Sequence, residues 1–146
     1  WFQTRVIHRI LGTNIVLKHM NLVQNENCSF FNVNRENIQH LFWRCDITRN
    51  FWNKLSRLIN DKCYNAFNFR LTEILVLFGF DENVTIDNVI ALILLLAKQY
   101  IYKCKLEKQI PNLVVFIRKL GYRYKMEEYI ARINCTYNEF SAQWQP

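Results

Sequence analysis

Only three glycines and two prolines punctuate 146 residues, so the chain has little with which to make turns. A β-sandwich or a series of hairpins needs turn chemistry roughly every ten residues. The sequence offers instead long stretches in which apolar residues recur at helical spacing. The expected fold is therefore all-α, a helical bundle.

Along the chain, Phe2, Val6, Ile7, Ile10 and Leu11 form the stripe of a first helix, with Arg5 and Arg9 opposite and Gly12 at its end. Thr13 or Asn14 can cap a second short helix that runs through Met20. Residues 21–37 are Asn-rich, polar and aperiodic, and read as a loop. Ile38, Leu41, Cys45, Trp52, Leu55 and Ile59 then predict one helix to about Asn60. Leu71–Leu77 is a short helix and Gly79–Val84 a turn. Thr85 can cap a long helix, 85–108, with Asp87 in its first turn, where an acid suits the helix dipole. Its expected core stripe is Ile86, Val89, Ile93, Leu96, Tyr100 and Cys104. Pro111 fits the first position of a helix 112–133, with Leu113, Val114, Ile117, Leu120, Tyr124, Met126, Ile130 and Ile133 apolar and a kink expected at Gly121. Residues 134–146 read as a polar, frayed tail. The parts 1–60, 61–133 and 134–146 are expected to form one compact unit, with helices 38–60 and 112–133 packed on 85–108.

The most apolar run, Val89 to Ala97, is nine residues long. A membrane span needs roughly 20, so this run reads as a buried helix and no membrane partner is expected. The chain starts at Trp1 and carries no secretory signal, which reads as a fragment or processed product in a reducing, intracellular compartment, cytoplasmic or nuclear. The cysteines agree: Cys28, Cys45, Cys63, Cys104 and Cys135 are odd in number and widely spaced, unlike a disulfide framework. Cys104 and Cys135 fall in helical patterns and are expected to be small buried hydrophobes.

The sharpest chemical signal is Cys28-Ser29-Phe30-Phe31 followed by His40-Leu41-Phe42-Trp43-Arg44-Cys45. Structural zinc takes four Cys or His ligands in a tetrahedron, and a short Cys turn followed by a His and a Cys supplies them. Cys28, His40 and Cys45 stand at ligand positions in a knuckle-like loop between the second and third helices, but Phe31 cannot ligate. His40 and Cys45, five residues apart, diverge on a regular helix and can face one metal only if that turn is loose. Water, Cys63 or His19 could fill a fourth place. The alternative is that Cys45 packs in the core while Cys28 and His40 are ordinary loop and cap residues.

Arg9-Ile10-Leu11-Gly12-Thr13-Asn14, Cys28-x-x-Phe31, Glu36-Asn37-Ile38-Gln39-His40-Leu41-Phe42-Trp43-Arg44-Cys45 and Phe51-Trp52 together resemble the zinc-binding region of LINE-type (non-LTR) retrotransposon reverse transcriptases. That family has Leu-x-Thr-Asn, then Cys-x-x-Cys, then Glu-Thr-x-x-His-Leu-Phe-x-x-Cys and a closing Trp. Leu95, Ala97, Lys98 and Tyr100 to Lys105 resemble the C-terminal part of such polyproteins. Phe31 stands where the family has its second Cys, and Asn37 where it has Thr. The resemblance implies zinc as cofactor and a module beyond the polymerase thumb. Its implied partners are RNA, target DNA and the rest of the parent enzyme during target-primed reverse transcription.

Charge supports an acidic partner. The net charge is +7, and residues 98–132 alone carry nine basic and three acidic side chains. Arg118, Tyr122, Lys125, Tyr129 and Arg132 recur on one helical face, with Lys119 and Arg123 beside them. Lys98, Lys103, Lys105 and Lys108 crowd the end of the preceding helix. Cations neutralise phosphates and tyrosine rings stack on unpaired bases, so these residues are the expected nucleic-acid contacts. The rival reading is a solvated face on a helical module that braces the polymerase or binds a protein. Catalysis is not expected: there is no Tyr-x-Asp-Asp stretch, Gly-rich phosphate loop or Gly-x-Ser-x-Gly elbow, and Asp81-Glu82 stands alone.

Overall fold

In the computed structural model, residues 1–62, 70–82 and 86–144 are described, and every regular element among them is helical. In order these are α1 (Phe2–Ile7), α2 (Asn14–His19), a π-helical turn (His40–Arg44), α3 (Asp46–Lys62), α4 (Glu73–Phe78), α5 (Asn88–Leu106), α6 (Leu113–Ile133) and α7 (Tyr137–Trp144). One antiparallel bridge, Asn27 to Arg35, closes the loop between α2 and the π turn. The all-α expectation, with a Cys/His loop between the second and third helices, holds. The proposed Thr85 cap and Cys63 lie outside the described residues.

The single helix expected over 38–60 is two. The backbone turns extended at Cys45 (ψ 130), which separates the π turn from α3. The carbonyl of Phe42 that this break frees accepts a 2.6 Å hydrogen bond from the indole Nε1 of Trp52, itself 1% exposed. A buried carbonyl left without a donor would cost about 1–3 kcal/mol, so Trp52 supports the break as well as the core.

Around Leu41, Phe42, Leu55, Leu75, Val76, Leu94 and Ile101 the core is fully packed. Phe51 of α3, Tyr100 of α5 and Phe116 of α6 meet with ring centroids 5.5–5.9 Å apart and join the three long helices. Of the expected α5 stripe, Tyr100 and Cys104 are buried and Ile86, Ile93 and Leu96 pack partly buried against the core, while the most buried apolar positions are Leu94, Ala97 and Ile101, which the expected stripe left out. Residues 89–97 are apolar on all sides, so periodicity could not choose between faces.

Helix α6 runs through Gly121 without interruption, and Asn112 rather than Pro111 begins it, its Oδ1 accepting from Val114 and Val115 N–H. Among its residues only Phe116 and Ala131 are buried, and Val114, Met126, Ile130 and Ile133 of the expected apolar stripe are exposed. The expected frayed tail is instead α7, whose Phe140 and Trp144 pack on Tyr124 and Ala131. The chain reverses through Cys135 (φ 57), which is exposed there rather than buried.

Candidate metal centre and basic surface

Cys28 sits in a tight turn just inside the Asn27–Arg35 bridge. Its N–H donates to Asn34 O at 2.7 Å, and its carbonyl accepts from Asn32 N at 2.8 Å. Asn37 caps the next turn, its Oδ1 accepting from His40 N at 2.7 Å, so Asn does the work a Thr would do at that position. The chain then widens into the π turn, in which Cys45 N donates to His40 O at 2.9 Å. On an α-helix, residues five apart point about 140° away from each other. The i to i+5 hydrogen bond stacks Cys45 over His40 and removes that divergence. This is the loosened turn that the His40–Cys45 spacing required.

Cys28, His40 and Cys45, all buried, thereby place their ligand atoms within 4.8 Å of one another. The two sulfurs are 3.7 Å apart. Tetrahedral zinc with Zn–S near 2.3 Å holds its sulfurs about 3.8 Å apart, so the pair fits. His40 Nε2 is buried without any hydrogen-bond partner, which is costly unless something binds it. The cluster can hold a metal ion.

Electrostatics at the sulfurs point the same way. The Cys45 thiol is lowered to about 6, first by the hydrogen bond from Cys28 and then, against the opposing effect of burial, by the backbone amides of Thr48 and Ile47. Those amides open α3, so Cys45 sits at a helix N-terminus, where a thiolate is stabilised. Cys28 is pushed up by its hydrogen bond to Cys45 and by burial, with the amides of Phe30 and Phe31 and the His40 side chain opposing. A cation bound between them would favour both sulfurs as thiolates.

The fourth corner has no protein ligand among the described residues: no further His, Cys, Asp or Glu joins the group. Phe31 is 60% exposed, and His19 is exposed at the end of α2 and stands outside the cluster.

What fixes the Cys28 turn is a group of residues to which sequence reasoning assigned no such role. Glu36 is 0% exposed. Its Oε2 accepts from Ser29 N at 2.7 Å, next to Cys28, and its Oε1 accepts from Asn14 N at 3.1 Å, capping α2. Thr13, expected as a possible cap, makes no side-chain cap bond. Asn14 Nδ2 donates to Asn27 O (2.6 Å) and Ser29 Oγ (3.1 Å). Lys105 reaches in from α5, 3.5 Å from Glu36 and 3.2 Å from Asn14 Oδ1. An acid in a polar loop, with Thr-Asn upstream, was the only sequence signal of this network.

The expected nucleic-acid residues divide. Lys105 (6% exposed) and Lys98 (1% exposed) are corrected to interior residues. Lys98 donates to Gln3 Oε1 and to Leu77 O at the end of α4, and burial lowers it to about 8. Charge counting could not distinguish these from surface lysines. Lys103, Lys108, Arg118, Lys119, Tyr122, Arg123, Lys125 and Arg132 are exposed. Three of them are paired to acids one helical turn away, Lys103 to Glu107, Arg123 to Glu127 and Arg132 to Glu128. No described helix is long and apolar enough to cross a membrane.

Neither a curated protein nor a solved structure matches the chain. Residues 1–52, which contain all three clustered Cys and His side chains, match the family described as zinc-binding in reverse transcriptase.

Proposed function

We propose that the chain is a non-catalytic, zinc-carrying accessory module of a LINE-type reverse transcriptase that helps hold template RNA or target DNA during target-primed reverse transcription. The observation that carries this reading is the convergence of Cys28, His40 and Cys45 within the segment matching a reverse-transcriptase zinc-binding region. When bound there, zinc supplies a crosslink between the Cys28 turn, the π turn and the start of α3. The nucleic-acid role rests on the exposed face of α6. Arg118 and Lys125 have no acidic partner among the described residues, and Tyr122 and Tyr129 are 68% and 63% exposed. Both cations are free to take phosphates, and the two rings lie beside them on the same face.

The test is binding of single-stranded RNA and DNA across a salt series. Affinity is expected to fall with salt, and R118E/K125E is expected to weaken low-salt binding at least tenfold. The slope of log K against log salt should drop by about 1.4, two contacts at roughly 0.7 each. Undetectable binding at low salt, or an unchanged variant, sinks the reading.

A second reading is favoured by one observation. Val114, Val115, Met126, Ile130 and Ile133 are exposed on the same helix, and Arg123 and Arg132 are already paired to acids. Such a face suits a helix of the parent polymerase, which the chain would then brace. Loss of association with the polymerase in M126E/I130E, with RNA binding intact, would favour it.

A further inference from the structure

A cleft of about 260 Å³ lies along the seam of α5 and α6, away from the metal centre. It draws Leu96, Gln99, Tyr100 and Lys103 from one helix and Phe116, Lys119, Leu120 and Arg123 from the other. In each helix these residues fall three to four apart, so a single face of each contributes. We propose that this cleft seats one unpaired base of a single-stranded nucleic acid, with the flanking phosphates held by Lys103, Lys119 and Arg123. The proposal rests on the nucleic-acid reading above and names where and how that reading acts.

The floor is aromatic and rigid. The Tyr100 hydroxyl donates to Asn112 O and accepts from Asn112 N, both at 3.1 Å, and its ring is backed by Phe51 and Phe116. Tyr100 is 8% exposed and Lys119 Nζ lies over its ring, so a base meets a preorganised apolar edge and displaces the ammonium toward the flanking phosphate. The rim is cationic: Lys119 Nζ stands 5.1 Å from the Tyr100 centroid and has no acidic partner among the described residues. Lys103 and Arg123 are held only by exposed ion pairs to Glu107 and Glu127. Such pairs contribute about 0–1 kcal/mol, so a phosphate can displace the acids at little cost. Gln99 is exposed at the edge, and its amide offers a donor and an acceptor to a base edge. The size excludes a large cofactor, since sites for drug-sized ligands begin near roughly 300 Å³. An apolar floor with three cations around it complements a flat heterocycle between phosphates better than an apolar peptide segment.

The experiment compares oligo(U), oligo(dT) and an abasic strand of equal length, measured by fluorescence anisotropy on the full chain. The base-bearing strands are expected to bind about tenfold or more tightly than the abasic one, the equivalent of one stacked base. Whichever of the U and dT strands binds more tightly identifies RNA or DNA as the source of the base. Q99W, which fills the cleft from an exposed position, is expected to remove the preference and leave abasic-strand affinity unchanged. Y122A/Y129A is expected to keep the preference, which separates the cleft from the outer face of α6. Equal binding of base-bearing and abasic strands overturns the cleft while leaving phosphate binding standing. A preference that survives Q99W or is lost in Y122A/Y129A also overturns it. No binding of any strand overturns both readings.

Discussion

Phe31 is 60% exposed, so replacing it removes no core contact. Its position, three residues after Cys28 in the same turn, is where a tetrahedral site would draw its fourth ligand. With three protein ligands, the cluster is expected to bind one zinc with water completing the tetrahedron. F31C adds a thiolate at no packing cost. It is expected to raise zinc affinity at least about tenfold in competition against a chromogenic chelator, while H40A abolishes binding. Equal affinity of the parent and F31C would mean that another residue already completes the site. No zinc in either protein would remove the metal from the account.

At the scale of elements, the informative failures come from the backbone and from buried charge. The grouping of Cys28, His40 and Cys45 could be read from spacing, and so could the requirement that the His40 turn be loose. The device that meets it, a π turn ended by an extended Cys45 and supported by Trp52, could not. Apolar periodicity runs across that break, because buried residues stand on both sides of it, Leu41 and Phe42 before and Phe51, Trp52 and Leu55 after. Burial of Lys105 was equally hidden, since a lysine near a helix end looks alike whether it faces water or Glu36. Its consequence is measurable. K105M leaves the fully buried Glu36 carboxylate without its cation, and breaking such a pair costs about 3–5 kcal/mol. E36Q/K105M is expected to recover part of that loss in urea denaturation, because no uncompensated charge remains. R132A, which breaks an exposed pair with Glu128, is expected to cost no more than about 1 kcal/mol. Comparable losses in K105M and R132A would show that the interior pair does not tie the Cys28 turn to α5.

At the scale of the whole molecule, the helical class followed from the scarcity of glycine and proline, and the long helices from their periodicity. How the ends are tied together did not follow, because those ties are single polar residues acting across long sequence separations. Lys98 is the clearest. It links α5 to Gln3 in α1 and to the last turn of α4, and it is 1% exposed. Burial lowers it from 10.5 to about 8. Below pH 8 it is protonated in both folded and unfolded chains, so its contribution to stability does not change with pH. Between about 8 and 10.5 the folded chain has given up the proton and the unfolded chain still holds it. Unfolding then takes up a proton, and stability rises with pH until the unfolded lysine also deprotonates. The full gain is on the order of 3 kcal/mol. Tyrosines and cysteines titrate nearby, so the quantity to measure is the difference between the parent and K98M in urea midpoints from pH 7 to 10.5. The parent is expected to gain on K98M across that window. Parallel curves would mean that Lys98 reaches solvent and that the α1–α4–α5 junction is looser than its hydrogen bonds indicate.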